Sequence, residues 1–465
     1  MRNGAPDAVA DSNGAKFVLD RLLGRGGQGA VYAVRGRNLA VKLSTVRDRE
    51  TQQRVRENIA RVRRLPLDGL NVARPLRALV QPHVGYVMEL MTGMVPLHVL
   101  AQPPREYVSN FVHWYIATGG LQRRLRVLAK TAALLRALHE RGLAYGDASP
   151  RNIFISEDSS ASEVWLIDCD NIVQGVIPRA VYTPGYAAPE LFRGHPGADS
   201  LTDAWSLATL AFETLCVLHP FDGDLIHDGE PELEERAFRG ELTWVDDCDD
   251  SSNAASRGLP RGMVLTRPLQ HLASACFGSS RLNRECRPTT SAWAEKLARA
   301  ADQVLVCTGC GSGFYANLNA CPWCDEPRPP FALINVHLRD PNIEDDSRTP
   351  HRLVCKAPGS PKTIERAVVQ TGRETLLTDR HLRGSQQDTP RVLVQLEGQQ
   401  LALRGLETCG EALEHRREGK IIPLAGRTER VDLRSGKASW WLVPLEKREL
   451  HRVAVFAMYE GQAKA

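Results

Sequence analysis

One short segment constrains this chain more than any other, because an acid, an amide and a second acid follow one another between hydrophobic stretches. Asp147 is followed five residues later by Asn152, and Asp168 comes after the next apolar runs. In phosphoryl transfer from a nucleotide, one carboxylate orients the attacking hydroxyl, while an amide and a second carboxylate hold the cations that bridge the phosphates. The order of these three side chains therefore predicts a phosphotransfer site.

Regular structure is predicted on both sides of these residues. Apolar residues recur at helical spacing from Leu121 to Arg141, and Gly142 follows as a helix stop. Ile153–Ile155 and Glu163–Ile167 are apolar runs of strand length, and the second ends directly before Asp168. Flanking strands in this order favour a functional role for the acids over simple capping of a turn.

A glycine cluster nearer the N-terminus supplies the complementary part of such a site. Apolar and polar residues alternate from Phe17 to Leu43, which predicts a β-hairpin. Glycine allows the backbone to approach phosphates where a side chain would collide with them. Lys42 follows at the distance of the next strand, from which its ammonium can reach the α- and β-phosphates. The candidate nucleotide-binding residues of the hairpin are Gly24, Gly26, Gly29 and Val31.

With these motifs the chain resembles the protein kinases, and three further segments match their pattern. Thr183–Glu190 is similar to the end of a kinase activation segment, the platform for a peptide substrate. Asp203–Leu207 is similar to the start of the buried helix behind it, whose aspartate holds the catalytic loop. Arg287 corresponds to the arginine that pairs with the platform glutamate, here Glu190.

The resemblance covers about residues 16–300 and implies an α+β, bilobal fold with an N-lobe over residues 16–88 and a C-lobe over residues 92–300. It implies an enzyme that uses ATP with Mg²⁺ or Mn²⁺ to phosphorylate serine or threonine, with tyrosine as an alternative, on a partner protein and on itself. The residues it assigns are Asp147 as the catalytic acid, Lys42 as the phosphate-binding lysine, and Asn152 and Asp168 as the metal ligands.

The same resemblance implies further nucleotide contacts from position. A helix predicted over residues 48–64 would carry the glutamate that pairs with Lys42; Glu57 has the better spacing, and Glu50 is the alternative. The residues whose backbone groups would pair with adenine are Glu89 and Met91.

The chain departs from the kinase pattern in ways that bear on regulation. Gly146 stands where kinases that require activation-loop phosphorylation carry an arginine, so activity is predicted to be independent of that switch. Because Ser149 replaces a common lysine, Arg151 becomes the candidate for neutralising charge in the transition state. Cys169-Asp170 replaces the usual Phe-Gly, which argues against control by a swinging aromatic ring.

Two other functions stay open at this point. A glycine before the acid also resembles small-molecule kinases of the aminoglycoside and choline type, but these lack the platform segment matched by Thr183–Glu190. A pseudokinase scaffold that binds nucleotide, or none, is the second alternative. The presence of all four residues that the chemistry needs argues against it.

A second motif follows the kinase-like region. Two C-x-x-C pairs with ten residues between them suit four thiolates around a tetrahedral zinc ion, which predicts a closed, structural zinc ribbon over residues 301–328. The predicted ligands are Cys307, Cys310, Cys321 and Cys324.

The remainder, residues 329–465, is predicted to be a small all-β sandwich or barrel that serves as an interaction module. Its alternating runs are Leu333–Leu338, Arg366–Gln370, Val392–Leu396, Trp440–Val443 and Arg452–Met458. A kinase with a four-cysteine ribbon is similar to the bacterial kinases of tellurite-resistance-type gene triads. That resemblance implies a von Willebrand A domain protein and a metal-dependent protein phosphatase as partners.

Composition limits the remaining possibilities. A net charge of only +4 argues against a protein whose main work is binding nucleic acid. Residues 1–15 are polar, which predicts a flexible N-terminus without a signal peptide, and no apolar run is long enough to cross a membrane. Eleven cysteines, only four of them regularly spaced, disfavour a disulfide framework. A cytoplasmic location is therefore expected.

Overall fold

The computed structural model describes residues 6–27, 29–175, 182–343, 352–357, 360–434, 437–446 and 449–461. The chain divides into two compact units. The first is formed by residues 1–119 and 123–297, and the second by residues 120–122 and 298–465.

The first unit begins with an antiparallel sheet. Its strands are β1 (Ala8–Ala10), β2 (Lys16–Gly26), β3 (Gly29–Val34), β4 (Leu39–Ser44), β5 (Arg77–Ala78) and β6 (Gly85–Glu89). They lie in the order β1-β2-β3-β4-β6-β5, so the glycine-rich segment forms the β2–β3 hairpin predicted from the alternation. Phe17, Val41 and Val87 fill the core on one face of this sheet, which gives Lys42 a rigid base.

The N-terminal segment is more ordered than the sequence suggested. Residues 8–10 form β1 and pair with β2, and the buried carboxylate of Asp11 accepts a hydrogen bond from Arg77 at 2.9 Å. The predicted flexible N-terminus over residues 1–15 is therefore wrong for this part, because backbone pairing orders a segment that looks polar in composition. Residues 1–5 lie outside the described residues.

Helix α1 (Arg49–Val62) follows β4 and begins at Asp48, whose carboxylate accepts a hydrogen bond from the Thr51 amide at 2.7 Å. The next helices are α2 (His98–Ala101), α3 (Phe111–Ala117), α4 (Gly120–His139), α5 (Ser200–Cys216), α6 (Asp224–His227), α7 (Pro231–Phe238), α8 (Arg261–Val264), α9 (Arg267–Phe277) and α10 (Thr290–Ala301). The short strands among them are β7 (Met94–Pro96), β8 (Leu143–Ala144), β9 (Ile153–Ser156), β10 (Val164–Leu166) and β11 (Val173–Gln174).

Helix α5 forms the centre of this helical part, since every residue from Thr202 to Cys216 is buried. Trp205 packs against Phe221 and Phe277, with ring centroids 5.7 and 5.4 Å away. Aromatic packing of this kind fixes the helix firmly and hence the groups that project from its first turn. None of the helices in the described residues is both long enough and apolar enough to span a bilayer.

The second unit contains the other strands of the described residues. They are β12 (Val304–Val306), β13 (Gly313–Tyr315), β14 (Phe331–Arg339), β15 (Cys355–Ala357), β16 (Ser360–Pro361), β17 (Thr363–Gln370), β18 (Thr375–Thr378), β19 (Pro390–Glu397), β20 (Gln400–Gly405), β21 (Glu411–His415), β22 (Ile421–Pro423), β23 (Thr428–Asp432), β24 (Lys437–Pro444) and β25 (His451–Tyr459), with helix α11 (Asp379–Arg383) after β18. One sheet has the order β17-β14-β25-β24-β21-β22 and another the order β18-β19-β20-β23. Their inner faces share one core, as in a sandwich.

The hairpin of β12 and β13 belongs to the same compact unit as these sheets. Leu305 and Phe314 from the hairpin are fully buried in one cluster with Phe331 of β14 and Val368 of β17. The boundary predicted between residues 301–328 and 329–465 therefore does not separate two compact units, because the hairpin is too small to bury its apolar residues alone.

Candidate active site

The loop between β8 and β9 carries Asp147 and is held from beneath by α5. The Asp203 carboxylate, 1% exposed, accepts hydrogen bonds from the backbone amides of Tyr145 at 2.7 Å and Gly146 at 2.8 Å. This contact confirms the role predicted for Asp203. Gly146 has a φ of +88°, and a Cβ there would lie 3.0 Å from the Asn171 carbonyl oxygen, so the loop requires glycine at this position.

The Asp147 carboxylate is oriented from two sides. The Asn152 side chain donates to Oδ2 at 2.8 Å, and the backbone amide and hydroxyl of Thr183 donate to Oδ1 at 2.9 and 2.8 Å. Burial raises the pKa of Asp147, and the hydrogen bonds from Thr183 and Asn152 oppose that rise. Thr183 was not predicted as a site residue, although it opens the segment matched to the platform.

The two motifs of the phosphotransfer pattern are joined by backbone contacts. The Ile167 amide donates to the Asn152 carbonyl at 3.0 Å, and the buried Tyr145 hydroxyl lies within hydrogen-bonding distance of the carbonyls of both residues. Asp168 directly follows, in a left-handed conformation with φ 52° and ψ 46°. The structure thus brings the loops of Asp147, Asn152 and Asp168 together, as their order in the sequence predicted.

Lys42 extends from β4 to the second motif. Its ammonium donates to Asp168 Oδ1 and to Asp170 Oδ2, both at 2.7 Å. Burial alone would lower the pKa of Lys42, but the charges of Asp170 and Asp168 outweigh it and the pKa is raised. Lys42 is therefore charged and lies beside the predicted metal ligand. Asp170 was not predicted as its partner.

The predicted ion pair between Lys42 and α1 is not formed. Glu57 is exposed and accepts a hydrogen bond from Gln53 at 2.8 Å, while Glu50 pairs with Arg54 on the solvent side of the helix. The prediction of Glu57, with Glu50 as alternative, is wrong in this structure because both side chains belong to the exposed face of α1. Ile59 and Val62 form its buried face.

The glycines of the β2–β3 hairpin differ in how much space surrounds the position that a Cβ atom would occupy. A Cβ on Gly29 would lie 2.3 Å from the Leu43 carbonyl oxygen, so strand packing alone requires this glycine. A Cβ on Gly24 or Gly26 would meet no atom within 4 Å, which leaves space beside the backbone there. Val31 lies opposite Gly24 and Lys42 in the sheet. Gln28, between the two strands in the sequence, lies outside the described residues.

For three other predicted residues, Glu89, Met91 and Arg151, no contact with the described residues indicates a role. Glu89 is the last residue of β6, and Met91 follows in the segment before β7. Arg151 is exposed and makes no hydrogen bond or ion pair with the described residues. Burial is the main cause of the lowered pKa of His98, and the charge of Arg151 adds to it.

The platform segment is anchored by the predicted ion pair. Arg287, whose side chain is fully buried, donates to both carboxylate oxygens of Glu190 at 2.8 and 3.0 Å and to the Leu201 carbonyl at 2.7 Å. Although burial opposes it, these contacts lower the pKa of Glu190. A bidentate pair of this kind fixes the direction of the segment as well as its distance from α5.

The second unit contains the four-cysteine cluster. All four sulfur atoms lie within 4.8 Å of one another, with Cys307 and Cys324 separated by 3.5 Å and Cys310 and Cys321 by 3.7 Å. Zinc–sulfur bonds of about 2.3 Å in a tetrahedron place sulfur atoms about 3.8 Å apart, so the cluster has the size of a zinc site. None of the eleven cysteines, all of which the structure describes, forms a disulfide.

Each cysteine pair closes a similar turn. Gly311, after the first pair, has a φ of +73° and donates from its amide to the Cys307 carbonyl at 3.0 Å. Asp325, after the second pair, has a φ of +57° and donates to the Cys321 carbonyl at 2.9 Å. Two matched turns present the sulfur atoms to one point between them.

Comparison with known proteins gives a consistent assignment for the first unit. Residues 17–292 match the family model described as protein kinase domain. CBL-interacting protein kinase 4 of Oryza sativa subsp. japonica is 30% identical over 225 residues, which is 46% of this chain and 47% of that protein. Protein kinase YegI of Escherichia coli (strain K12) is 27% identical over 351 residues, 68% of this chain and 50% of that protein.

A bacterial relative described as serine/threonine-protein kinase pkn2, from Myxococcus xanthus, is 29% identical over 239 residues, 48% of this chain and 26% of that protein. The chain spans about half or less of the length of these curated relatives.

Proposed function

This chain belongs to the protein kinase family, and we propose that it transfers the γ-phosphoryl group of ATP to serine or threonine hydroxyls of a partner protein and of its own chain. The observation that carries the proposal is the Asp147 carboxylate, fixed between Asn152 and Thr183. Such a carboxylate can receive the proton of an attacking hydroxyl, provided the hydroxyl is within hydrogen-bonding reach.

The residues assigned to the metal ions fit that role chemically. The Asn152 amide nitrogen donates to Asp147, which leaves its oxygen as an acceptor for a cation. Asp168 is 39% exposed at its side chain, so its carboxylate is accessible. Both offer oxygen ligands, which Mg²⁺ and Mn²⁺ prefer. Bound Mg²⁺ or Mn²⁺ would supply charge neutralisation at the phosphates, and Lys42 would hold the α- and β-phosphates.

The platform supports a protein substrate over a small molecule. Thr183 links the platform segment directly to Asp147, and the pair of Glu190 with Arg287 fixes its far end. A small-molecule kinase of the aminoglycoside or choline type would not need a peptide platform at this place. Serine or threonine is preferred as the acceptor because the bacterial relative is described as a serine/threonine-protein kinase; tyrosine is the alternative.

The direct test is phosphate transfer from labelled ATP with magnesium. We expect the wild type to label itself or an added protein, and Asp147→Asn and Asp168→Asn to lose at least about 10²-fold in rate. Equal labelling by wild type and both variants would refute catalysis by this site. Labelling of kanamycin or choline in place of protein would favour the small-molecule alternative, whereas ATP binding without transfer would favour a pseudokinase scaffold.

We further propose that activity does not depend on phosphorylation of the activation segment. Gly146 has no side chain that could pair with a phosphate there, and its φ of +88° disfavours any replacement. Treatment with a phosphatase before the assay should leave the rate unchanged. Arg151 stays the candidate for neutralising charge in the transition state, and Arg151→Ala is expected to lower kcat about tenfold with little change in KM.

The cysteine cluster is proposed to bind one structural zinc ion. The sulfur distances and the two matched turns support this proposal, and four protein ligands would leave no open position for catalysis. Elemental analysis should find one zinc per chain. A folded protein that contains no metal would contradict the proposal.

The partners remain a proposal from the sequence resemblance alone. We propose that a von Willebrand A domain protein and a metal-dependent protein phosphatase act as substrate and antagonist of this kinase in the cytoplasm. Incubation of the purified kinase with each protein and labelled ATP tests this directly. Absence of transfer to the von Willebrand A protein by an otherwise active kinase would remove it as a substrate.

A further inference from the structure

Lys42 lies between two carboxylates that differ in burial. Its ammonium is 2.7 Å from an oxygen of each, but the Asp170 side chain is only 19% exposed, against 39% for Asp168. Attraction between charges is stronger where less water screens them, so Asp170 is the stronger of the two partners. The second carboxylate oxygen of Asp170 is buried and makes no hydrogen bond with the described residues, so Lys42 is the side chain that donates to this acid, while Arg61 interacts with it through charge alone.

The hydrogen bond between helix α1 and Asp170 is made to the Asp170 backbone. The Asn58 side chain donates to the Asp170 carbonyl at 2.8 Å, and Asn58 is itself fixed by two hydrogen bonds from Arg61 at 2.7 and 3.1 Å. Successive residues of a helix are rotated by about 100°. With Asn58 directed at this contact, the neighbouring Glu57 is turned to solvent and cannot reach Lys42 at the same time.

We propose that Asp170 is the positioning residue that holds Lys42 toward the nucleotide phosphates, in the place of a glutamate from α1. The proposal rests on the proposed function. Asp168 is expected to turn to the metal ions when nucleotide binds, and Asp170 then remains the carboxylate partner of Lys42. Asp170 and Asp168 belong to one short turn, so the same segment positions both Lys42 and the predicted metal ligand. Because the carboxylate that pairs with Lys42 lies outside α1, a shift of this helix would not remove a carboxylate of its own from Lys42.

A double-mutant cycle on ATP affinity tests this role without requiring catalysis. The full chain and the variants Asp170→Asn, Lys42→Met and the double variant are titrated with ATP and magnesium, and with adenosine. We expect Asp170→Asn to weaken ATP binding about tenfold in the wild type but less than twofold in the Lys42→Met background, because the effect passes through the lysine. Adenosine affinity should be unchanged, since Lys42 reaches only phosphates.

Catalytic activity provides the second readout, and it compares Asp170 with Glu57, the acid first predicted to pair with Lys42. Asp170→Asn is expected to lower kcat/KM for ATP about 10²-fold, as a displaced catalytic group does. Glu57→Gln should stay within about twofold. The matched control is Asp158→Asn, the same chemical change at an exposed turn. Melting temperatures are measured first, and Asp170→Ser replaces Asp170→Asn if the latter does not fold.

Several outcomes would overturn the assignment. They are an equal loss of ATP affinity from Asp170→Asn in both backgrounds, a parallel loss for adenosine, or a greater loss of activity from Glu57→Gln than from Asp170→Asn. If the affinity cycle behaves as expected but the wild type transfers no phosphate, the role of Asp170 in holding Lys42 stands and the proposed kinase activity fails.

Discussion

Replacing Asp203 with alanine is expected to release the loop that carries Asp147 while the rest of the first unit stays folded. The carboxylate is almost fully buried and accepts backbone hydrogen bonds from Tyr145 and Gly146 at 2.7 and 2.8 Å. A hydrogen bond to a charged group contributes about 1.5–3 kcal/mol, so two of them at the lower value contribute about 3 kcal/mol. That loss should raise the population of the open loop about 10²-fold.

Hydrogen exchange followed by mass spectrometry measures this opening directly. In Asp203→Ala, the peptide covering residues 143–152 should exchange about 10²-fold faster, and kcat should fall by at least about tenfold because Asp147 is no longer fixed. Asp228→Ala, a change at an exposed aspartate of the same unit, is the control. Unchanged exchange at residues 145 and 146, or an equal increase across the whole unit, would refute local support by Asp203. Asp203→Asn, which keeps one acceptor, should give an intermediate rate.

Three further predictions follow from other contacts. Thr183→Val removes the hydroxyl that donates to Asp147 and should lower kcat about tenfold with KM for ATP little changed; an unchanged kcat would contradict that role. Glu190→Gln should destabilise the first unit by about 3–5 kcal/mol at pH 7, because buried Arg287 loses its charged partner. Since the pKa of Glu190 is lowered in the folded chain, its contribution is present above the ordinary value of 4.5 and lost as pH falls through the folded value, so urea midpoints of wild type and variant should converge in acid. Cys321→Ser should lower the zinc content of the purified protein and broaden the unfolding of the second unit, whereas Cys286→Ser, at an exposed cysteine outside both candidate metal groups of the described residues, should leave both unchanged.

The sequence predicted the parts of the site that depend on short, ordered motifs. Asp203 beneath the loop and the pair of Arg287 with Glu190 were both predicted, since each is recognisable from its neighbours in the chain. The five alternating runs of the C-terminal region likewise all lie in strands of the two main sheets. Successive side chains of a strand point to opposite faces of the sheet, so the residues that face the core can be recognised from the local sequence alone.

The contacts that were missed depend on how segments rotate against one another. Charged residues occur along most of the length of helix α1, and the sequence did not reveal that Asn58 faces the site while Glu57 faces solvent. The pairing of Lys42 with Asp170 joins residues 128 positions apart, and that of Asp147 with Thr183 joins residues 36 apart. The ordered segment at residues 8–10 was missed for a related reason, because only Val9 in it is buried.

The apolar cluster shared by the β12–β13 hairpin and the sandwich restricts where the chain can be truncated to produce folded fragments. A truncation after residue 328 would strip Leu305 and Phe314 of the strands that cover them, and one starting at residue 329 would expose Phe331 and Val368 to water. Either fragment would carry a freshly exposed hydrophobic surface and a tendency to aggregate. Recombinant versions intended to isolate the C-terminal region should therefore begin before β12, so that hairpin and sandwich are produced as one piece.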